Sequence, residues 1–389
     1  MIHEVATKVA DALLYEGYML YPYRPSAIKN RQRWSFGILY PPAYPEVPSG
    51  TERCQMHSEC LLEVSPNAVS QNQGSRNEAP RNAVLQLELR FLHLLSRQVG
   101  KPSESDSQAV DLQACNLENL KFEPVPFLVI DDRRIESWDE GVERSVQLEL
   151  SLEPARQQFQ FRFPSSRVAE PLRHSSGQLA GSVSRTQQEV TGTISVLSET
   201  IGDGLLKLTI DISNTTAPGT TFQSSDLRDR NLALLHSLVS AHTILSVTGA
   251  QFVSLLDPPD ALRNAVSSCN NVGNFPVLVG VPPERDMLLC SPIILYDYPQ
   301  IAPESGANYC DSTEMDEMLT LRIMTLTDEE KDEMRCADDQ IRSLLQFTEQ
   351  SASQQLMRTH GPIRPASTTG SAALPAQHPV SGEQDWVKP

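Results

Sequence analysis

Residues 85–91 read Leu-Gln-Leu-Glu-Leu-Arg-Phe, so a large apolar residue alternates with a polar one along the whole stretch. Successive side chains of a β-strand point to opposite faces, and this period of two is typical of a strand with one packed face and one wet face. Parallel sheets are buried on both faces, whereas antiparallel sheets tolerate a wet face. The stretch therefore predicts a half-buried antiparallel strand.

The same alternation recurs through the middle of the chain. Four further stretches show it, at residues 146–152, 159–163, 194–196 and 206–212. Glu153-Pro-Ala-Arg156 separates the first two stretches and Gly202-Asp-Gly204 separates the last two, and both are typical turn sequences. The sequence thus predicts two β-hairpins. They form either the two sheets of one sandwich or two small β-domains.

Helical patterns frame these strands. Apolar residues recur at helical spacing over residues 4–16, and Gly17 is placed to end that helix. A leucine stripe predicts another helix over residues 226–240. Residues 311–339 hold eleven acids against three bases, and Thr327-Asp-Glu-Glu330 is a capping-box sequence. We therefore expect a β-rich α+β fold with antiparallel, sandwich-like sheets, a short N-terminal helix and acidic C-terminal helices.

The sequence divides into five parts. They are an N-terminal helix with a basic–aromatic segment (1–44), a first antiparallel β region with a disordered loop at 65–82 (45–180), a second β region with one helix (181–310), acidic helices (311–350) and a disordered tail (351–389). The loop and the tail are rich in small and polar residues, so they bury too little apolar surface to offset the entropy of ordering.

Composition restricts the function. The formal net charge of −17 argues against a general nucleic-acid binder, because the field of the whole protein repels phosphates. No run approaches the ~20 apolar residues of a membrane span, and the N-terminus lacks the basic and apolar regions of a secretory signal. Seven scattered cysteines fit reduced thiols better than a disulfide framework. We expect a cytoplasmic protein.

Metal and catalytic chemistry receive little support. Cys54, His57 and Cys60 lie within seven residues and are weak candidate metal ligands, but their spacing matches no structural zinc pattern. The chain has no nucleophile elbow, dinucleotide fingerprint or P-loop sequence. We predict no cofactor and favour a non-catalytic protein. A metal-handling factor or enzyme that uses these three residues, or the acids of residues 297–317, stays as an alternative.

The first candidate binding surface is the basic–aromatic segment, defined as residues 18–44. Four cations fall within ten residues that contain no acid, and aromatic rings flank them. The candidate partner-binding residues are Tyr23, Arg24, Lys29, Arg31, Arg33 and Trp34. Such a patch suits an acidic protein surface. Two alternatives remain: the rings are core and the cations a solvated rim, or the patch packs against the acidic helices of residues 311–339.

The second candidate surface follows a predicted buried strand at residues 293–296. Asp297-Tyr-Pro299 leads into a proline-bounded loop that ends at Glu304-Ser305. Asp297 and Tyr298 either fix an irregular chain that leaves a sheet, or present, together with Glu304, a rigid docking loop. The first interpretation needs no partner and is the simpler one.

Four long segments carry a resemblance to a known family. They are residues 9–26 with Asn30-Arg-Gln-Arg-Trp34, residues 232–259, residues 291–305 and residues 314–331. They resemble a poorly characterised bacterial family encoded beside [NiFe]-hydrogenase structural and maturation genes. The resemblance implies an accessory or interaction role in assembly, maturation or tethering, with hydrogenase subunits or maturation factors as partners, and it carries over no catalytic residue. A structural module unrelated to hydrogenase is the remaining alternative.

Overall fold

The computed structural model describes residues 2–64, 83–103, 121–131, 133–218, 229–301, 307–311, 314–337 and 339–359. The predicted loop at 65–82 lies outside these ranges, and so does the tail beyond residue 359. None of the described helices is both long enough and apolar enough to cross a membrane.

The described part of the chain contains fifteen strands and six α-helices. The strands are β1 Gln55–Val64, β2 Val84–Pro102, β3 Phe122–Val125, β4 Phe127–Ile130, β5 Arg133–Glu136, β6 Trp138–Ser151, β7 Arg156–Phe163, β8 Ser166–Arg173, β9 Leu179–Gln187, β10 Val190–Gly202, β11 Leu205–Asn214, β12 Val239–Thr248, β13 Ala250–Phe252, β14 Phe275–Leu278 and β15 Met287–Ser291. The helices are α1 Ile2–Leu14, α2 Arg230–Leu234, α3 Arg263–Ser267, α4 Asp316–Met324, α5 Asp328–Cys336 and α6 Asp339–Thr359.

The strands form two main antiparallel sheets, which confirms the predicted fold class. The larger sheet has the order β14-β15-β12-β2-β9-β8. The long strand β2 pairs with β12 and then β9 along one edge, and with β6 and then β3 along the other. The smaller sheet has the order β13-β1-β11-β10-β7, and β4 and β5 pair separately. The alternating stretch at residues 85–91 lies at the centre of the larger sheet, where its four apolar side chains are at most 1% exposed.

The two sheets enclose one hydrophobic core. Inward side chains of β2 and β12 from the larger sheet meet those of β1, β10 and β11 from the smaller one. Strands of the 45–180 region and the 181–310 region alternate within both sheets, since β1 pairs with β11 and β2 pairs with β9 and β12. The two β regions therefore build one sandwich, which the sequence left undecided.

One predicted hairpin is confirmed and the other is wrong. Strands β10 and β11 pair across the turn at residues 203–204, as the alternation predicted. Strand β6 instead pairs with β2, and β7 pairs with β10 in the other sheet. Residues 152–155 therefore form a corner between sheets. Leu150 and Phe161 pack into the same core from opposite sides. The alternating sequence is therefore compatible both with a hairpin of β6 and β7 and with the observed pairing in separate sheets.

The helical predictions hold at the termini and fail in the middle. Helix α1 packs Ala6, Val9 and Ala10 against the larger sheet, and the capping box at Thr327 forms as predicted. The leucine stripe of residues 226–240 yields only the five-residue α2, because the buried residues from Leu238 onward join the sheet instead. Helix α6 runs nine residues past 350, into the segment expected to be disordered.

A second core joins the two ends of the chain. The basic–aromatic segment contributes Tyr18, Met19 and Tyr23, which pack with Leu92 and Leu94 of β2. The opposite side of this cluster consists of residues from α4, α5 and α6. The segment therefore lies between the sandwich and the C-terminal helices, and this position decides which of its side chains reach solvent.

Candidate interaction surfaces

The guanidinium group of Arg33 occupies an aromatic cage inside the protein. Its central carbon lies 3.4 Å from the centroid of Trp138, 4.6 Å from that of Trp34 and 5.7 Å from that of Tyr18. One of its nitrogens donates a hydrogen bond of 2.5 Å to the carbonyl of Asp139. Arg33 is 7% exposed. The cation–π chemistry expected of this segment is thus satisfied within the molecule.

Tyr23 and Trp34 are also interior. Tyr23 is fully buried and its hydroxyl donates to the carbonyl of Tyr309 over 2.8 Å, while Trp34 is 4% exposed. Burial raises the pKa of the Tyr23 hydroxyl far above its usual value. Both residues have positive φ, 54° and 64°, a conformation that costs energy outside glycine and that the surrounding packing sustains. This corrects the expectation that Tyr23, Arg33 and Trp34 face a partner.

The remaining cations divide between an ion pair and solvent. Arg24 pairs with Glu330 of α5 over 2.9 Å, and the neighbouring hydroxyl of Ser26 donates to Glu333 over 2.6 Å. The segment therefore packs against the acidic helices, the intramolecular alternative that the charge pattern allowed. Lys29 is exposed. The side chain of Arg31 lies outside the described part of the structure.

The loop at residues 292–301, here called the pinned loop, is fixed by Asp297. One carboxylate oxygen of Asp297 accepts from the hydroxyl of Ser254 over 2.5 Å, and the other accepts from the backbone N–H of Leu278 over 2.8 Å. Tyr298 donates its own N–H to the carbonyl of Leu278 over 2.7 Å and its hydroxyl to that of Glu284 over 2.9 Å. The loop-fixing interpretation of Asp297 and Tyr298 is therefore correct.

The same loop displays two large apolar side chains that sequence reasoning missed. Tyr296 is 87% exposed and Ile294 is 71% exposed. Residues 293–296 were expected to form a buried strand, but they form none, and only Ile293 and Leu295 pack against the core beneath α1. All four side chains are apolar, so no alternation in the sequence distinguishes the two inward residues from the two outward ones.

Further exposed apolar side chains border the pinned loop. Leu256 is 55% exposed and belongs to a turn whose Asp257 N–H donates to the Ser254 hydroxyl over 2.8 Å, the same hydroxyl that binds Asp297. Val281 is 48% exposed and lies in the connection between Leu278 and Glu284, both of which bind the loop. Glu304 lies outside the described residues.

The three candidate metal ligands do not converge. Cys60 is 1% exposed and lies in the core of the sandwich, whereas His57, an odd number of residues away, faces outward from β1. The Nδ1 of His57 lies 2.6 Å from a carboxylate oxygen of Asp211, and Nε2 lies 3.6 Å from one of Glu59, which also pairs with Lys207 over 2.7 Å. Across the described ranges, no three His, Cys, Asp or Glu side chains are grouped to hold a metal ion.

With this geometry in place, comparison with known proteins adds no identification. No protein-family model matches the chain, and no curated protein sequence matches it.

Proposed function

We propose that the protein is a non-catalytic, cytoplasmic accessory or interaction protein of a [NiFe]-hydrogenase system. It acts in assembly, maturation or tethering by recognising a protein partner. The observation that carries the binding role is Tyr296, a tyrosine 87% exposed, whose next two residues, Asp297 and Tyr298, are held by hydrogen bonds to Leu278. The hydrogenase context is supported by the four segments that resemble the hydrogenase-linked family.

A rigid, exposed tyrosine has the properties of a binding anchor. Tyrosine and other aromatic residues are enriched among the few residues that dominate interface energies, because they bury a large apolar area and still hydrogen-bond through a polar tip. The pinned loop is already ordered by Asp297, so binding costs less conformational entropy than it would on a free loop. Ile294 and Leu256 extend the same apolar surface.

The basic–aromatic segment contributes less than its sequence suggests. Its aromatic rings and Arg33 stabilise the interior, and Arg24 is paired. Among the side chains of this segment that the structure describes, Lys29 and the neighbouring Ile28, which is 81% exposed, form a basic–apolar pair open to solvent. An acidic partner that approaches the basic–aromatic segment would contact the short turn of Ile28 and Lys29. The principal contact surface is the pinned loop.

Affinity capture tests this proposal. The tagged chain is produced in cells that make a [NiFe]-hydrogenase, and co-purified proteins are quantified by mass spectrometry for wild type, Tyr296→Ser and Val168→Ser. Val168 is the matched control, since it is 56% exposed on the edge strand β8. We expect hydrogenase subunits or maturation proteins with wild type and Val168→Ser, and their loss with Tyr296→Ser. Absence of all hydrogenase-related proteins from the wild-type sample contradicts the proposal.

A further inference from the structure

Helix α4 presents large apolar side chains on two sides. Its buried face consists of Leu319, Thr320 and Ile323, all fully enclosed in the core that joins the chain ends. Outside this face are four exposed apolar residues, here called the methionine face: Met315 (65% exposed), Met318 (38%), Leu321 (43%) and Met324 (46%). These four residues lie within ten positions, and none of them belongs to the buried face that packs α4 against the rest of the chain.

The methionine face lies in the most acidic part of the described chain. Residues 314–337 contain eight acids and three bases. Two of the bases are already engaged, because Arg322 pairs with Glu314 over 3.2 Å and Arg335 pairs with Asp332 over 2.6 Å. An apolar surface with an unbalanced negative rim therefore remains open to solvent.

Two exposed carboxylates follow the apolar residues closely in sequence. Asp328 and Glu329 follow Met324 after a three-residue turn, and both are exposed. Neither forms an ion pair with another described residue, whereas the next acid, Glu330, is held by Arg24 and by the capping box. These two charges favour cations at the edge of the methionine face and also lie in the first turn of α5.

From these observations we infer that the methionine face binds a basic amphipathic helix of a partner protein. Methionine is flexible and polarisable, so a surface built from it adapts to varied apolar side chains. A helix that places an apolar stripe on Met318 and Leu321 brings its flanking lysines or arginines to Asp328 and Glu329. This surface and partner class go beyond the proposed function, and the inference does not depend on the Tyr296 surface or on hydrogenase.

Charge excludes the two other obvious occupants. A second copy of the chain in an isologous contact would bring the same acidic rim against itself. An anionic lipid surface would meet Asp328 and Glu329 with like charge. The partner must therefore be cationic as well as apolar, and a basic amphipathic helix has both properties.

A peptide titration tests the inference on the full chain. The probe is a fluorescent 18-residue peptide of leucine and lysine with a helical apolar stripe, and fluorescence anisotropy reports binding. We expect saturable binding that weakens as salt rises, and at least tenfold weaker binding by the Met318→Ser/Leu321→Ser variant and by the Asp328→Asn/Glu329→Gln variant. A scrambled peptide of the same composition, or a Val168→Ser protein with the original peptide, reports non-specific effects.

The outcomes separate the occupants. Equal affinity for the scrambled peptide, or unchanged affinity in both double variants, overturns the inference. So does sedimentation of the wild-type chain as a dimer that Met318→Ser/Leu321→Ser dissociates, or binding of the chain to anionic vesicles of phosphatidylglycerol. Thermal unfolding of each variant verifies its fold, and Met324→Ser replaces the apolar double variant if that one unfolds.

Discussion

The guanidinium carbon of Arg33 lies 3.4 Å from the centroid of the Trp138 ring. This contact crosses from the basic–aromatic segment to the start of β6, and it places a cation that looked available for binding beside two tryptophan rings of its own chain. The charge of the segment is therefore used to join the N-terminus to the sandwich and, through Arg24, to the acidic helices.

Replacing Arg33 by lysine should destabilise the fold. A lysine cannot stack its planar group on Trp138, and it presents its donors differently to the carbonyl of Asp139. We expect a loss of about 1–3 kcal/mol in the free energy of unfolding, measured by urea titration with tryptophan fluorescence. The control is Lys29→Ala at an exposed position, where the change should stay within about 0.5 kcal/mol. Equal effects of the two substitutions would refute the cage.

The ion pair between Arg24 and Glu330 should couple the two ends of the chain weakly. Both side chains are about a quarter exposed, 28% and 25%, so solvent screens the interaction. A double-mutant cycle with Arg24→Gln and Glu330→Gln should give a coupling of about 0.5–1 kcal/mol that falls with added salt. Glutamine retains the capping-box bond of Glu330, so the cycle isolates the ion pair. A coupling of zero at low salt would show that the two ends are not linked by this contact.

His242 should make the fold sensitive to acid. Its Nδ1–H donates to the carbonyl of Ser240 over 2.8 Å, and complete burial lowers its pKa from 6.5 to about 4. Below pH 6.5 the unfolded chain takes up a proton that the folded chain does not, so the contribution of His242 to stability is fully present above pH 6.5 and falls towards pH 4. At about 1.4 kcal/mol per pH unit, this residue accounts for on the order of 3 kcal/mol.

Substituting His242 by asparagine tests that effect. Asparagine retains a donor for the Ser240 carbonyl and does not titrate. We expect His242→Asn to flatten the dependence of the free energy of unfolding on pH between 6.5 and 4, measured by urea titration at each pH. A slope identical to that of wild type would mean that His242 is not a neutral buried group.

Removing the carboxylate of Asp297 should loosen the pinned loop. The Asp297→Ala variant leaves the Leu278 N–H and the Ser254 hydroxyl without their acceptor, which should cost about 1–3 kcal/mol. Hydrogen exchange of the backbone N–H groups of Leu278 and Tyr298 should accelerate. Tyr296→Ser should leave both exchange rates and the stability unchanged, since that side chain is exposed. Protection that survives Asp297→Ala would contradict the pinning role.

The strands could be predicted because their alternation is local, but their partners could not. The alternation at residues 146–152 and 159–163 correctly predicts strands, yet β6 and β7 belong to different sheets. A hairpin turn and a corner between sheets would bury the same side chains, so the alternation does not distinguish them. The leucine stripe after residue 226 is compatible with a long helix when it is considered alone. In the structure the helix is short, because the chain from Val239 onward pairs as a strand of the larger sheet. Tertiary packing overrides local propensity at both places.

The burial of three candidate residues, Tyr23, Arg33 and Trp34, could not be predicted for a related reason. The sequence shows that Arg33 and Trp34 suit cation–π contact, but not whether the partner is another molecule or Trp138, which is more than a hundred residues away. It also shows that Asp297 and Tyr298 suit loop fixing, which the structure confirms. The exposure of Tyr296 depends on the packing of Ile293 and Leu295 beneath it, and no sequence pattern revealed that.

The binding role of Tyr296 is tested by the affinity between the purified chain and a purified hydrogenase subunit or maturation protein. Titration calorimetry would compare wild type, Tyr296→Ser and the matched Val168→Ser variant. We expect Tyr296→Ser to raise the dissociation constant at least tenfold, equivalent to about 1.4 kcal/mol, and Val168→Ser to change it less than twofold. Unchanged affinity in Tyr296→Ser, or no binding by wild type to any such protein, would contradict that role.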